Sequence, residues 1–105
     1  MDLNIVQSEE ELEAELDQGA FFLLKHSLTC PISAQAKSEY EKFSKQSDFP
    51  CCILNIQQSR DLSNKIAERF NVKHESPQVL LFQNQQVTWH ESHFSITADQ
   101  LHNRL

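Results

Sequence analysis

Only one glycine, Gly19, occurs in the 105 residues. A GxGxxG or Walker A loop therefore cannot be built, which excludes nucleotide binding in a glycine-rich phosphate cradle. Turn positions that need positive φ must fall to other residues, and asparagine is the expected substitute. Basic residues are also scarce. Nine Lys and Arg stand against fifteen Asp and Glu, a net charge of -6 with the five His neutral. That field repels nucleic acid, and no Lys/Arg cluster overrides it, so no nucleic-acid partner is expected. No apolar run reaches the roughly 18 residues of a membrane helix. The opening Met1-Asp2-Leu3-Asn4 also lacks the charged and then apolar pattern of a leader. We therefore expect no membrane association and a cytoplasmic location. Cysteine is sparse too: three residues, two of them adjacent (Cys51, Cys52), are not a secreted disulfide framework. In a reducing compartment such thiols either pack or do chemistry.

What is present suits one domain spanning 1–105, long enough to bury about 65% of its unfolded surface without metal or disulfide staples. Ser8-Glu9-Glu10-Glu11 reads as a capping box opening a helix to about Asp17, stopped by Gly19. Residues 20–25 are a continuous apolar run ending in Lys25, as in a strand buried on both faces. Ile32, Ala36, Tyr40 and Phe43 then form one helical stripe, ended at Asp48-Phe49-Pro50. Residues 51–56 suggest a second buried strand. Ser59 suits the cap of a third helix bearing Leu62, Ile66 and Phe70, with Asn71 at its C-terminal turn. Residues 79–82 and 87–89 read as a hairpin around the loop 83–86. Thr97-Ala98-Asp99-Gln100 opens a last helix carrying Leu101 and Leu105, and residues 3–6 add a short edge strand. This order implies an α/β fold: a mixed sheet of four to five strands flanked by about four helices, parallel in part, with an antiparallel hairpin at one edge.

The stretch Thr29-Cys30-Pro31-Ile32-Ser33 carries most chemical information. Pro31 sits where the first helical residue belongs, since its missing N–H would have had no intrahelical partner. Cys30 is thereby placed at the N-cap, facing unpaired backbone N–H groups and the positive end of the helix dipole. Both stabilise a thiolate, and such cysteines have pKa values as low as roughly 3.5–7.5. The carboxyl end of a central strand is also where ligand sites gather in open α/β sheets. The alternative, Cys30 as a buried small hydrophobe, conflicts with its Thr, Ser and Pro neighbours. Ser33 stands where a two-cysteine redox motif places its resolving thiol; it cannot form an internal disulfide and can only donate a hydrogen bond to the thiolate.

Ser76-Pro77-Gln78 directly precedes the 79–82 strand. Proline at a strand's first residue costs no ladder hydrogen bond, so the dipeptide alone says little. Beside a Cys-x-x-Ser helix start, a second reading gains weight. A cis Ser76–Pro77 bond would turn the Ser76 backbone toward the thiol and leave its N–H and C=O free for an extended substrate.

Taken together, the order of elements, Cys30-Pro31-Ile32-Ser33 opening a helix and Ser76-Pro77-Gln78-Val79 opening a hairpin resemble a thioredoxin-fold protein of glutaredoxin type. More narrowly, Thr29 to Ser33 with His74-Glu75-Ser76-Pro77-Gln78 is similar to the monothiol bacilliredoxins, over about residues 3 to 105. The resemblance implies a cytosolic thiol–disulfide oxidoreductase that removes bacillithiol, a cysteine–glucosamine–malate thiol, from mixed disulfides on client proteins. It further implies Cys30 as nucleophile, Pro31 to Ser33 as shapers of its environment, and Pro77 as a cis-proline. Bacillithiol is then a co-substrate with no tightly bound cofactor, and a second thiol or a partner redoxin is the reductant. Ser33 departs from the dithiol glutaredoxins. The absence of a glycine after Cys30 departs from the iron–sulfur glutaredoxins.

Other candidates are weaker. Cys51 begins a strand parallel to the one leading to Cys30, about 16 Å away at 3.3 Å per residue. Disulfides need Cα atoms within about 7 Å. Both neighbours therefore read as structural, with Cys51 exposed enough for adventitious modification. The histidines show no metal-ligand spacing, and no metal site is expected; His90 and His93 read as solvated. His74 precedes the proline loop and is a candidate substrate contact. Lys25 and Lys73 are candidates to attract the malate carboxylates or hold the thiolate, although each singly reads as a solvated lysine. Trp89 and Phe21-Phe22 read as core. Two rivals to the exchange reading stand: an iron–sulfur or metal carrier using Cys30, and a redox-inactive adaptor. A monomer is expected.

Overall fold

The central strand is the residue run that is apolar on both faces. In the structure, a computed structural model that describes residues 3–105, β2 (Phe21–His26) is buried along its whole length. It lies third in a five-stranded sheet of order β1-β3-β2-β4-β5, formed with β1 (Asn4–Ile5), β3 (Cys51–Asn55), β4 (Gln78–Gln83) and β5 (Gln86–Ser92). β1 and β2 run parallel to β3, whereas β4 runs antiparallel to both β2 and β5. The chain is thus α/β with a mixed sheet, as its element order implies.

Side-chain alternation along the strands sends neighbours to opposite faces. Phe21 and Leu23 face Leu12 and Leu16 of α1 (Glu9–Gln18) and Leu62 and Ile66 of α3 (Arg60–Phe70). Phe22 and Leu24 face Ala36, Tyr40 and Phe43 of α2 (Pro31–Gln46) and Leu101 of α4 (Ala98–His102). Each fully buried Leu or Phe contributes about 1.5–3 kcal/mol of transfer free energy. Phe21 stacks on its cross-strand partner Phe82 at 4.7 Å between centroids, and Phe22 meets Phe43 edge-on at 5.3 Å. Trp89 is half-buried against the second cluster.

Local signals set the helix starts. Ser8 Oγ accepts from the Glu11 N–H at 3.2 Å, and Thr97 Oγ1 from the Gln100 N–H at 3.2 Å. Asn71 takes the left-handed cap of α3 with φ 56°. Four details differ from sequence expectation. Ser59 occupies the N-cap of α3 but its side chain makes no capping hydrogen bond. The hairpin loop tightens to Asn84-Gln85, both at positive φ (53° and 62°), because this mirror-image turn matches the twist of the paired strands. β5 continues to Ser92 and passes into a short 3₁₀ turn, His93–Ser95. α4 stops at His102, leaving Leu105 58% exposed instead of on the helix stripe.

The topology fixes where the site forms. Lys25, one residue from the end of β2, is the antiparallel partner of Gln78, the first residue of β4. The loop leading out of β2 and the loop leading into β4 therefore share one edge of the sheet.

Candidate active site

Cys30 is the N-cap of α2, in extended backbone (φ -96°, ψ 125°), with Pro31 as the first helical residue. Its thiol is partly exposed. The Ser33 and Ile32 backbone N–H groups, which face the sulfur, pull its pKa below that of an ordinary thiol, and the Ser33 hydroxyl adds to this. The neutral side chain makes no capping hydrogen bond to the helix. The N–H groups thus act chiefly on the ionised form, which is the form that attacks.

The loop before Cys30 is held from two sides. Ser33 is fully buried, and its Oγ accepts from the Ser27 N–H at 3.3 Å. From the end of β3, Gln57 accepts from the Leu28 N–H at 3.0 Å and donates to Ser27 Oγ at 2.8 Å. Sequence inspection missed Gln57, because a polar residue after a strand carries no signal of what it will hold. Thr29 and Pro31 are exposed beside the thiol, and Ile32 is half-buried.

The Ser76–Pro77 bond is cis. Pro77 is buried and Ser76 half-buried. Among the described residues, neither the N–H nor the C=O of Ser76 takes part in a backbone hydrogen bond. The Pro77 carbonyl accepts from the His93 N–H at 3.0 Å, which ties the 3₁₀ turn to this loop. His93 itself is exposed at φ 56°.

Lys25 overturns the solvated reading. It is wholly buried on the α3 face of the sheet. Its Nζ donates to the Ser63 carbonyl at 2.9 Å and lies 3.3 Å from His74 Nδ1; Ser63 Oγ is also 3.3 Å from that nitrogen. Burial lowers its pKa to about 8. From that position Lys25 cannot touch a substrate directly. His74, by contrast, is half-buried in the loop before Pro77. Its pKa is lowered by burial first, then by Lys25 and Arg60, with Glu75 opposing. Gln78, fully buried, donates from Nε2 to the Lys73 carbonyl at 2.9 Å and so braces the same loop. Lys73 is exposed, as expected.

The remaining candidates lie elsewhere. Cys51 pairs with Phe22 and Asn55 with His26, so the two adjacent cysteines sit at the end of β3 remote from Cys30. Cys51 is 3% exposed, which corrects the expectation of an accessible thiol. Burial pushes Cys51 to about 11 and Cys52 to about 12. His26, unremarked in the sequence, is buried beneath α2, its pKa lowered by burial and by Lys37. His90 and His93 are exposed. No group of three or more His, Cys, Asp or Glu that could hold a metal ion gathers among the described residues. No helix there is long and apolar enough to cross a membrane.

The chain is similar to known proteins over nearly its whole length. Residues 2–101 match the family described as monothiol bacilliredoxin BrxC. A solved structure described as "A putative oxidoreductase with a thioredoxin fold" is 39% identical, with a TM-score of 0.92 over 96% of this chain and 91% of its own. A point-mutant thioredoxin of Halobacterium salinarum (16% identity, TM-score 0.78, 98% and 87% covered) shares the fold. So does the Plasmodium falciparum thioredoxin (13% identity, TM-score 0.78, 97% and 95% covered).

Proposed function

We propose, from the premise that this chain belongs to the monothiol bacilliredoxin family of thioredoxin-fold proteins, that it removes bacillithiol from S-bacillithiolated client proteins in the cytoplasm. One observation carries this reading: a partly exposed N-cap thiol, pKa lowered by the Ser33 and Ile32 N–H groups, with serine where a resolving thiol would stand.

The Cys30 thiolate attacks the bacillithiol sulfur of the client mixed disulfide. A Cys30–bacillithiol disulfide forms, the client disulfide bond breaks, and the client sulfur leaves as thiolate, so one disulfide is exchanged for another. Rate depends on the thiolate fraction and on the leaving thiol's pKa. The unpaired N–H and C=O of Ser76 align the client backbone by short strand addition. Thr29, Pro31 and Ile32 shape the mouth. Ser33 cannot complete an internal disulfide, so a second bacillithiol or a partner redoxin attacks the adduct and restores the Cys30 thiolate. The protein works as a monomer and holds no resident cofactor.

Release of bacillithiol from a bacillithiolated test protein distinguishes the thiols. Cys30→Ser should abolish it, and Cys51→Ser and Cys52→Ser should leave it intact. Retention by Cys30→Ser with loss in the other two would overturn the assignment.

A further inference from the structure

The polar group beneath the proline loop has a chemical asymmetry. A lysine ammonium has three donors and no acceptor, so the imidazole nitrogen it faces must offer a lone pair. Lys25 Nζ and the Ser63 hydroxyl both lie 3.3 Å from His74 Nδ1. With a pKa of about 8, Lys25 is still mostly ammonium at pH 7. The ring proton of His74 is then on Nε2, since the partner of one ring nitrogen decides which tautomer is present. Nε2 has no partner among the described residues, and it is not among the buried unpartnered atoms, so it reaches solvent.

We propose that Lys25 is a positioning residue that locks His74 as the Nε2–H tautomer, and that this N–H is the donor offered to a carboxylate of the small thiol carried on the client. The proposal rests on the exchange reading above for its substrate, but not for its tautomer. Charge supports an anionic acceptor: Lys25 lies behind the ring and Arg60 acts on it from the start of α3, with Glu75 the opposing neighbour. This local positive field stands out in a chain of net charge -6. The cationic lysine itself is fully buried, so the ring and not the ammonium is what the substrate can touch.

Nitrogen-15 NMR of the imidazoles at pH 7 tests the first half. His74 should show a protonated Nε2 and an unprotonated Nδ1 in the wild type, and a mixed or reversed pattern in Lys25→Met. An Nδ1–H tautomer or an imidazolium in the wild type, or an unchanged pattern in Lys25→Met, overturns the proposal. Kinetics test the second half, using one test protein carrying either bacillithiol or cysteamine, which has no carboxylate. Lys25→Met should raise KM for the bacillithiolated form in inverse proportion to the Nε2–H fraction it retains, about tenfold where the tautomer is reversed to roughly one ring in ten. Its kcat, and its turnover of the cysteamine form, should change less than twofold. An equal loss on both substrates, or no change in KM, overturns it. If Lys25→Met fails to fold, His74→Phe carries the same substrate comparison. Failure of the wild type to accept bacillithiol would instead count against the exchange reading and leave the tautomer result standing.

Discussion

Ser33 Oγ accepts a hydrogen bond from the Ser27 N–H at 3.3 Å, joining the loop before Cys30 to the helix after it. The hydroxyl keeps its own proton for the Cys30 sulfur, where it helps lower the thiol pKa. Ser33→Ala should raise the Cys30 pKa and slow exchange at pH 6 severalfold. It should also destabilise the fold by about 1–3 kcal/mol, because the Ser27 N–H loses its acceptor. Thiol titration and denaturant unfolding of the variant check both. An unchanged thiol pKa would contradict this role.

The direction of the Cys30 shift fixes a pH profile. A depressed folded pKa means the thiolate persists below the ordinary cysteine value, and exchange slows only as pH falls through the folded pKa. The same linkage contributes stability above the unfolded pKa and loses it across that window on acidification. Iodoacetamide alkylation followed from pH 5 to 9 should show one fast thiol, Cys30, with a midpoint below about 8.5. Cys51 and Cys52, buried with pKa values of about 11 and 12, should react only on unfolding. A midpoint at or above that reference would refute the prediction.

Tyr40 holds β3 to α2. Its hydroxyl donates to the Cys52 carbonyl at 2.8 Å and accepts from the Cys52 N–H at 3.1 Å, fully buried. Tyr40→Phe leaves both backbone groups without this partner and should cost about 1–3 kcal/mol. Exchange activity at 25 °C should be unchanged, since the contact lies away from Cys30. Chemical denaturation and a bacillithiol-release assay separate the two effects.

The hairpin turn predicts a gain. Gln85 is held at φ 62°, a region that costs L side chains about 1–2 kcal/mol, whereas glycine enters it freely. Gln85→Gly should stabilise the protein by about 0.5–1 kcal/mol after the larger unfolded-state entropy of glycine is subtracted. A lower melting temperature would contradict this.

Much of the fold was legible because its signals are local or periodic. The Pro31 start of α2, the Ser8 and Thr97 caps, and the all-apolar β2 each report one dominant preference. The candidate site was only half legible. Cys30 announces itself through its helix start, and the Ser76–Pro77 loop through its place before a strand. Lys25 misleads, because a lysine next to the end of a strand ordinarily reaches water. Its burial depends on a Ser63 carbonyl 38 residues away and on His74, and no local pattern encodes that meeting. Gln57 was silent for the same reason. Its partners, Leu28 and Ser27, lie in the loop after β2, and the topology alone brings them together.

Intact-protein mass spectrometry after incubation with a bacillithiolated test protein addresses the central claim most directly. Wild type should gain one bacillithiol-sized adduct while the test protein loses the same mass, and Cys30→Ala should gain none. No adduct on wild type, or an adduct that persists on Cys30→Ala, would contradict monothiol transfer through Cys30.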